Sequence, residues 1–246
     1  MTAVDPRLNE HREVWERKPG LRAIYADYHR RLLDPLPSGE PLLEIGGGSG
    51  NFGEASSDIV SVDLLASPWV DVACDAHHLP FSAAAFGGIA MLDVLHHLAQ
   101  PAAFFDEAAR ILRSGGRLVM IEPCITPLSW PFYHFLHQEP VDMSVNPLAD
   151  QPAEVAEDPF LSNQAIPTLL FRRKRHRQQF AARHSEFKVC DVHIFSLFAY
   201  ALSGGFKRWS LLPAFAAGPL LKSEGILSPL LGPIFGFRLS VILERA

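Results

Sequence analysis

Three glycines at alternate positions follow an acid in LLEIGGGSGNFGE (residues 42–54): Glu44, then Gly46, Gly48 and Gly50. Glycine lacks a Cβ, so a strand that breaks into such a loop brings backbone within contact distance of a ligand. The next apolar run, DIVSVDL, closes on Asp63. An acid at the tip of the neighbouring strand is placed to accept both hydroxyls of a ribose, so a nucleoside-containing cofactor is the first inference. Gly48, Gly50 and Gly53 also satisfy the dinucleotide pattern GxGxxG. Against that reading, Asp63 lies 15 residues after Gly48, fewer than the roughly 20 of a dinucleotide fold. Glu44 would also set a negative charge beside a pyrophosphate. A cofactor with a cationic, amine-bearing tail suits Glu44 better.

The elements that must carry these residues can be read from periodicity. Residues 8–34 have helical spacing (Val14, Leu21, Ile24, Tyr28, Leu32) and end at Asp34-Pro35, which predicts a helical N-terminal segment over 1–40. Apolar runs at 41–45, 59–63, 70–74, 87–92 and 117–122 read as buried parallel strands. PAAFFDEAARILRSGG (101–116) is an amphipathic helix with Pro101 at its start and Gly115-Gly116 at its stop. Residues 166–184 read as helix and 187–196 as strand, and 237–246 (FRLSVILERA) as a last strand. Strand–helix alternation of this kind predicts an α/β, Rossmann-like, doubly wound and mostly parallel sheet, with ligands bound beyond the carboxyl ends of the strands.

With CDAHHLPF (74–81), MLDVLHHL (91–98) and ILRSGGRLVMIEP (111–123), the glycine loop resembles the class I S-adenosylmethionine-dependent methyltransferases, specifically the small-molecule type 11 domain. The resemblance covers residues 40–123 well and the rest in outline. It implies a seven-stranded sheet with an antiparallel last strand, in one domain whose cofactor half is 41–123. It implies that Glu44 and Gly46, Gly48 and Gly50 hold the methionine part of S-adenosylmethionine. Asp63 would take the ribose, Asp75 the adenine amino group with Ala76 offering its backbone N–H, and Asp93 would border the sulfonium. The first loop and helix, NFGEASS, are about a turn shorter than the family's.

Methyl transfer needs a base only if the acceptor must lose a proton, as a hydroxyl must. Histidine titrates nearest neutrality. His134 and His137, in SWPFYHFLHQEP with Glu139 close by, are the preferred candidates, because residues 124–165 form a proline-rich segment expected to cover the site. A second cover is expected at 197–236, apolar, broken by Gly and Pro, and unsuited to a long helix. No metal is expected, since adjacent histidines in an extended segment point to opposite faces.

Composition narrows the class. About half of the 246 residues are apolar and a fifth charged, and a net charge of −5 argues against a nucleic-acid binder. Three scattered cysteines indicate neither a disulfide framework nor zinc, which fits the cytoplasm. No stretch reaches the roughly 18 apolar residues of a membrane span. The basic run FRRKRHRQQF (171–180) reads as a solvated helix face or as a site for an anionic acceptor or membrane surface. Shallow membrane contact through 211–237 is a further reading. The expected partner is a small or lipid-linked acceptor methylated on oxygen, nitrogen or carbon, with oxygen favoured. The rival readings are a nicotinamide-dependent oxidoreductase and a non-catalytic cofactor-binding module.

Overall fold

The computed structural model describes residues 4–53, 56, 58–136, 139–149, 158 and 160–246. Seven strands form one sheet: β1 (Leu42–Ile45), β2 (Ile59–Asp63), β3 (Val72–Ala73), β4 (Phe86–Leu92), β5 (Leu112–Pro123), β6 (Phe187–Phe195) and β7 (Arg238–Arg245). Their spatial order is β3-β2-β1-β4-β5-β7-β6. The first five run parallel, and β7 is antiparallel to both β5 and β6. Strand alternation divides the core between the two faces of the sheet. Ile89, Met91, Leu118 and Met120 belong to one apolar cluster, while Ala90, Val119 and Ile121 belong to the other.

On the first face lie α3 (Pro101–Ile111), α5 (Ile166–Arg172) and α6 (Lys174–Arg183), through Phe104, Phe105, Phe171 and Phe180. On the second lie α2 (Pro19–Leu33) and α8 (Ala214–Phe235), through Ile24, Tyr28, Leu32 and Ala217. The remaining helices, α1 (Pro6–Arg17), α4 (Ser129–Phe135) and α7 (Ala199–Ser203), reach the carboxyl ends of the parallel strands through Leu8 near Gly48, Tyr133 on Phe237 O and Tyr200 under Arg238. Helices on both faces of a mostly parallel sheet make this the doubly wound architecture expected.

Four elements differ from their sequence reading. The N-terminal segment is two helices, because Pro19 drives Lys18 out of the helical region to φ −115°, ψ 83°. Lys18 turns this break into a joint: its ammonium donates to the carbonyls of Ser203, Gly205, Lys207 and Trp209 at 2.5–3.0 Å. Helix α3 stops at Ile111, and Leu112 already pairs with Phe86. Residues 166–184 are two helices, broken at Arg173 (φ −83°, ψ 115°). Residues 214–235 are one helix of 22 residues despite Pro219, Pro229 and Pro233. All three prolines face solvent. The Gly225 carbonyl that Pro229 deprives of a backbone donor accepts from Ser228 Oγ at 3.5 Å. Packing on α2 and β6 overrides propensity here.

Candidate active site

Strand β1 ends in the glycine loop, and the loop is built by what glycine permits. Gly46, Gly48 and Gly50 all have positive φ (84°, 49° and 75°). A Cβ on Gly46 would lie 2.2 Å from Val94 Cγ2, and one on Gly50 2.4 Å from Trp69 Cβ, so these two seat the loop against protein. Gly48 is different. The nearest atoms to a Cβ there are the Gly46 carbonyl, Asp63 Oδ2 and Leu8 Cδ2, at 3.8–3.9 Å. The Gly46 and Gly47 amides both donate to Val62 O (2.8 and 3.0 Å), which folds the loop back over β2.

Asp63 ties the loop to the neighbouring strand. Its Oδ2 accepts from the Gly48 amide at 2.9 Å and its Oδ1 from the Leu65 amide at 2.8 Å. Burial pushes its carboxyl above the usual range, and those two amides pull it partly back. Beneath the loop, Glu44 is buried, and its Oε2 accepts from Ser61 Oγ at 2.5 Å. Burial raises Glu44 to about 7, with the Asp63 and Asp71 charges adding to the rise. A cationic group beside Glu44 would relieve that cost. The Cys74 amide donates to Asp63 O, bringing the ends of β2 and β3 together. Asp75 follows at once. Its Oδ1 accepts from the His77 amide (2.9 Å) and meets His77 Nδ1 (2.6 Å), which carry its pKa below the ordinary value despite the opposing effect of burial. Ala76 beside it is buried.

The fourth strand delivers Asp93 in a left-handed conformation, φ 59°. Its carboxylate is ion-paired with Arg238, the first residue of β7 and among the largest fully buried side chains. Because β7 runs antiparallel, its beginning lies beside the carboxyl ends of the parallel strands. The Arg238 guanidinium also stands over the Tyr200 ring at 4.0 Å and near the Tyr28 ring at 5.7 Å. Tyr28 shares a 2.8 Å hydrogen bond with Ser196 Oγ, and Tyr133 donates to Phe237 O at 2.9 Å. Burial raises Tyr25, Tyr28, Tyr133 and Tyr200, so these phenols stay neutral.

Beside this cluster a 3-10 turn (Leu95–His97) brings the His96 and His97 rings together, centroids 4.2 Å apart. The expectation that adjacent histidines diverge rested on extended backbone, and the turn removes it. His96 Nδ1 meets Glu122 Oε2 at 2.7 Å, and its Nε2 lies 3.4 Å from Glu139 Oε2. Burial disfavours its charge, but the two carboxylates outweigh that and lift its pKa to about 10. His97 is pushed down to about 4, first by burial and then by the charge on His96. Its Nδ1 is buried without a partner among the described residues. His96, His97 and Glu139 each bring a ligand atom within 4.8 Å of the others, as do Asp93, His96 and Glu122. Both sets share His96, whose two nitrogens already face carboxylates.

The residues singled out in the sequence therefore separate into groups. Glu44, Gly46, Gly48, Gly50 and Asp63 converge at one strand end, with Asp75 and Ala76 on its flank and Asp93 across the Gly46–Val94 contact. His134 stands apart. It is exposed on α4 and stacked on Trp130 at 4.6 Å. His137 lies outside the described residues. Arg238 and the tyrosines carried no motif. The available signal was an arginine at the opening of an apolar strand, in FRLSVILERA.

Residues 43–120 match a family described as a methyltransferase domain. The matched segment, about a third of the chain, carries a methyltransferase domain of the S-adenosylmethionine-dependent kind. Solved structures share its fold. A SAM-dependent methyltransferase from Archaeoglobus fulgidus superposes at a TM-score of 0.53 with 14% identity, over 91% of this chain and 94% of that one. A SAM-dependent methyltransferase from Thermotoga maritima, described as a possible histamine N-methyltransferase, gives 0.51 at 15% identity, over 92% and 91%. A geranyl diphosphate methyltransferase in complex with GPP and sinefungin gives 0.51 at 15% identity, over 91% and 77%. No curated protein matches the chain's sequence. The donor set of the loop fits the methyltransferase cofactor: Asp63 sits beside the one alternate glycine that no side chain crowds, and a buried carboxylate lies below it.

Proposed function

We propose that this methyltransferase moves the methyl group to an oxygen of a small or lipid-linked molecule held beyond Asp93, beneath α2, α4 and α7. The observation that carries this reading is Arg238. It is a buried, permanently charged guanidinium whose Nε has no hydrogen-bond partner among the described residues, beside Tyr200. A buried donor left unpartnered after the ion pair with Asp93 calls for an acceptor oxygen, which a hydroxyl supplies and an ammonium group does not.

S-adenosylmethionine, when bound, supplies an electrophilic methyl on a sulfonium, which is already a good leaving group. The chain's residues then have three tasks. Glu44, Gly46, Gly48, Gly50, Asp63, Asp75, Ala76 and Asp93 bind and orient the cofactor. The tyrosines and Phe237 exclude water, and alignment with desolvation supplies much of the acceleration. A base takes the hydroxyl proton. For that task His97 is better placed than His134: it is neutral at pH 7, with a free buried nitrogen one turn from Asp93, whereas His134 is exposed. His96, held as an imidazolium by Glu122 and Glu139, is the less suitable neighbour.

Incubation with methyl-tritiated S-adenosylmethionine and a panel of phenols, hydroxy acids and prenylated quinols would test this. Label should appear in an O-methyl product and fall about a hundredfold or more in His97→Gln, the lower range for losing a general base. Label found only on nitrogen or carbon would refute the oxygen assignment.

A further inference from the structure

Helix α8 is turned inside out. Its buried residues are Ala217, Glu224, Ser228 and Gly232, a small and polar stripe. That stripe brings the helix close: a Cβ on Gly232 would lie 2.8 Å from the Ile194 carbonyl. Glu224 uses the contact to cap α7, accepting from the Phe198 and Ala199 amides at 2.5 and 2.6 Å. Leu220 and Leu221 reach the core, but Phe215 (85% exposed), Ile226 (80%) and Leu230 (77%) point the other way, with Leu227 and Ile234 exposed beside them. A helix packed on a core normally does the reverse.

This face is continuous with others. The Leu128 amide donates to Ile234 O, joining α8 to the start of α4, where Leu128, Trp130, Phe135 and Leu136 are exposed. At the other side Phe198, Leu202, Trp209 and Leu211 are exposed, and the Leu211 amide donates to Leu202 O. Contiguous apolar surface on this scale marks an interaction site. Charge says what kind. Segments 124–136 and 196–237 contain four charged residues, Lys207, Arg208, Lys222 and Glu224, and the single acid is the buried one. Within these segments the exposed charges are positive, in a chain of net charge −5, and one of them, Arg208, is ion-paired with Glu10 of α1. The basic run lies beyond α4, on the other face of the sheet from α8: Arg172 donates to Ile125 O, and Arg173, Lys174, Arg175 and Arg177 are exposed.

We propose that α8, α4 and the 198–211 loop form a docking face for an anionic lipid bilayer, with the apolar side chains entering the headgroup boundary and Lys207 and Lys222 meeting lipid phosphates. No helix among the described residues is long and apolar enough to cross a membrane, so α8 lies in the surface plane. The proposal does not depend on which acceptor is methylated. It does place the tyrosine-lined site next to the bilayer, because α4 and α7 supply both Tyr133 and Tyr200 and parts of the face.

Co-sedimentation with vesicles of phosphatidylcholine alone, and of phosphatidylcholine mixed with phosphatidylglycerol, tests it. The full chain should sediment with the mixed vesicles at low salt and be released as salt rises. The double variant Ile226→Asp, Leu230→Asp should bind them about tenfold or more weakly. These side chains are exposed, so its thermal melting should match the parent's. Lys207→Glu with Lys222→Glu should abolish the preference for the anionic vesicles, and it serves as the second test should the first variant fold poorly. Failure of the parent to bind mixed vesicles at low salt would overturn the proposal, as would parent-like binding by both variants. A dimer in sedimentation velocity that the apolar variant splits, with no vesicle binding, would assign the face to a second copy instead.

Discussion

Replacing Arg238 with methionine removes one partner of a buried ion pair and leaves the other in place. The stem of methionine fills much of the same space, so the loss is mainly electrostatic. Breaking a buried pair in this way costs about 3–5 kcal/mol. Asp93 keeps 27% side-chain exposure against 2% for Arg238, so water screens part of that loss and about 2–4 kcal/mol is the expected range. The sign of the pH dependence follows. Burial already raises Asp93, and Arg238 opposes the rise. Without Arg238 the folded-state pKa climbs further above the unfolded value. A raised carboxyl disfavours folding above its unfolded pKa, and that penalty fades as pH falls and the group takes up a proton. Urea unfolding of Arg238→Met at pH 8 should therefore show the full loss, and at pH 5 a smaller one. The double variant Asp93→Asn, Arg238→Met should recover part of the stability at pH 8. A loss under about 1 kcal/mol, or an equal loss at both pH values, would refute the assignment of Arg238 as the counter-ion of Asp93.

Gly50→Ala would set a Cβ 2.4 Å from Trp69 at a backbone φ of 75°, and should destabilise the protein by about 1–3 kcal/mol in denaturant unfolding. Lys18→Met removes the ammonium that four loop carbonyls share, and limited proteolysis should then cut within 203–209 several-fold faster than in the parent. His96 carries a raised folded pKa of about 10, so its contribution to stability is whole below its unfolded value and is lost as pH rises toward 10. Thermal unfolding between pH 6.5 and 10 should accordingly fall less steeply in His96→Gln than in the parent. A parallel pair of curves would remove the charged assignment.

The parts legible in the sequence were those whose chemistry is local. A strand that must end in glycines leaves alternate Gly residues after an acid, and a tip carboxylate closes an apolar run. Residue type and spacing alone therefore single out Glu44, the loop and Asp63. The sheet followed from runs of apolar residues, which mark strands covered on both faces. What could not be read depends on distance along the chain. Arg238 meets Asp93 across 145 residues, and nothing near either residue announces the pair. The His96–His97 turn was hidden because a 3-10 segment of three residues has no periodicity to detect. Helix α8 was obscured by its prolines and by an apolar face that points outward, the reverse of the pattern used to recognise packed helices. At 124–165 the prolines gave only the expectation of a cover, because the segment carries no motif that names a chemical group.

On the reading proposed above, the first strand's loop and the carboxylate at the tip of the second hold the nucleoside of S-adenosylmethionine. Isothermal titration of S-adenosylhomocysteine into the parent and into Asp63→Ala measures that grip. Losing a charge-assisted contact to both ribose hydroxyls should weaken binding by about 1–3 kcal/mol, with the far-ultraviolet spectrum unchanged. Equal affinity in the two proteins, or no binding by the parent, would contradict it.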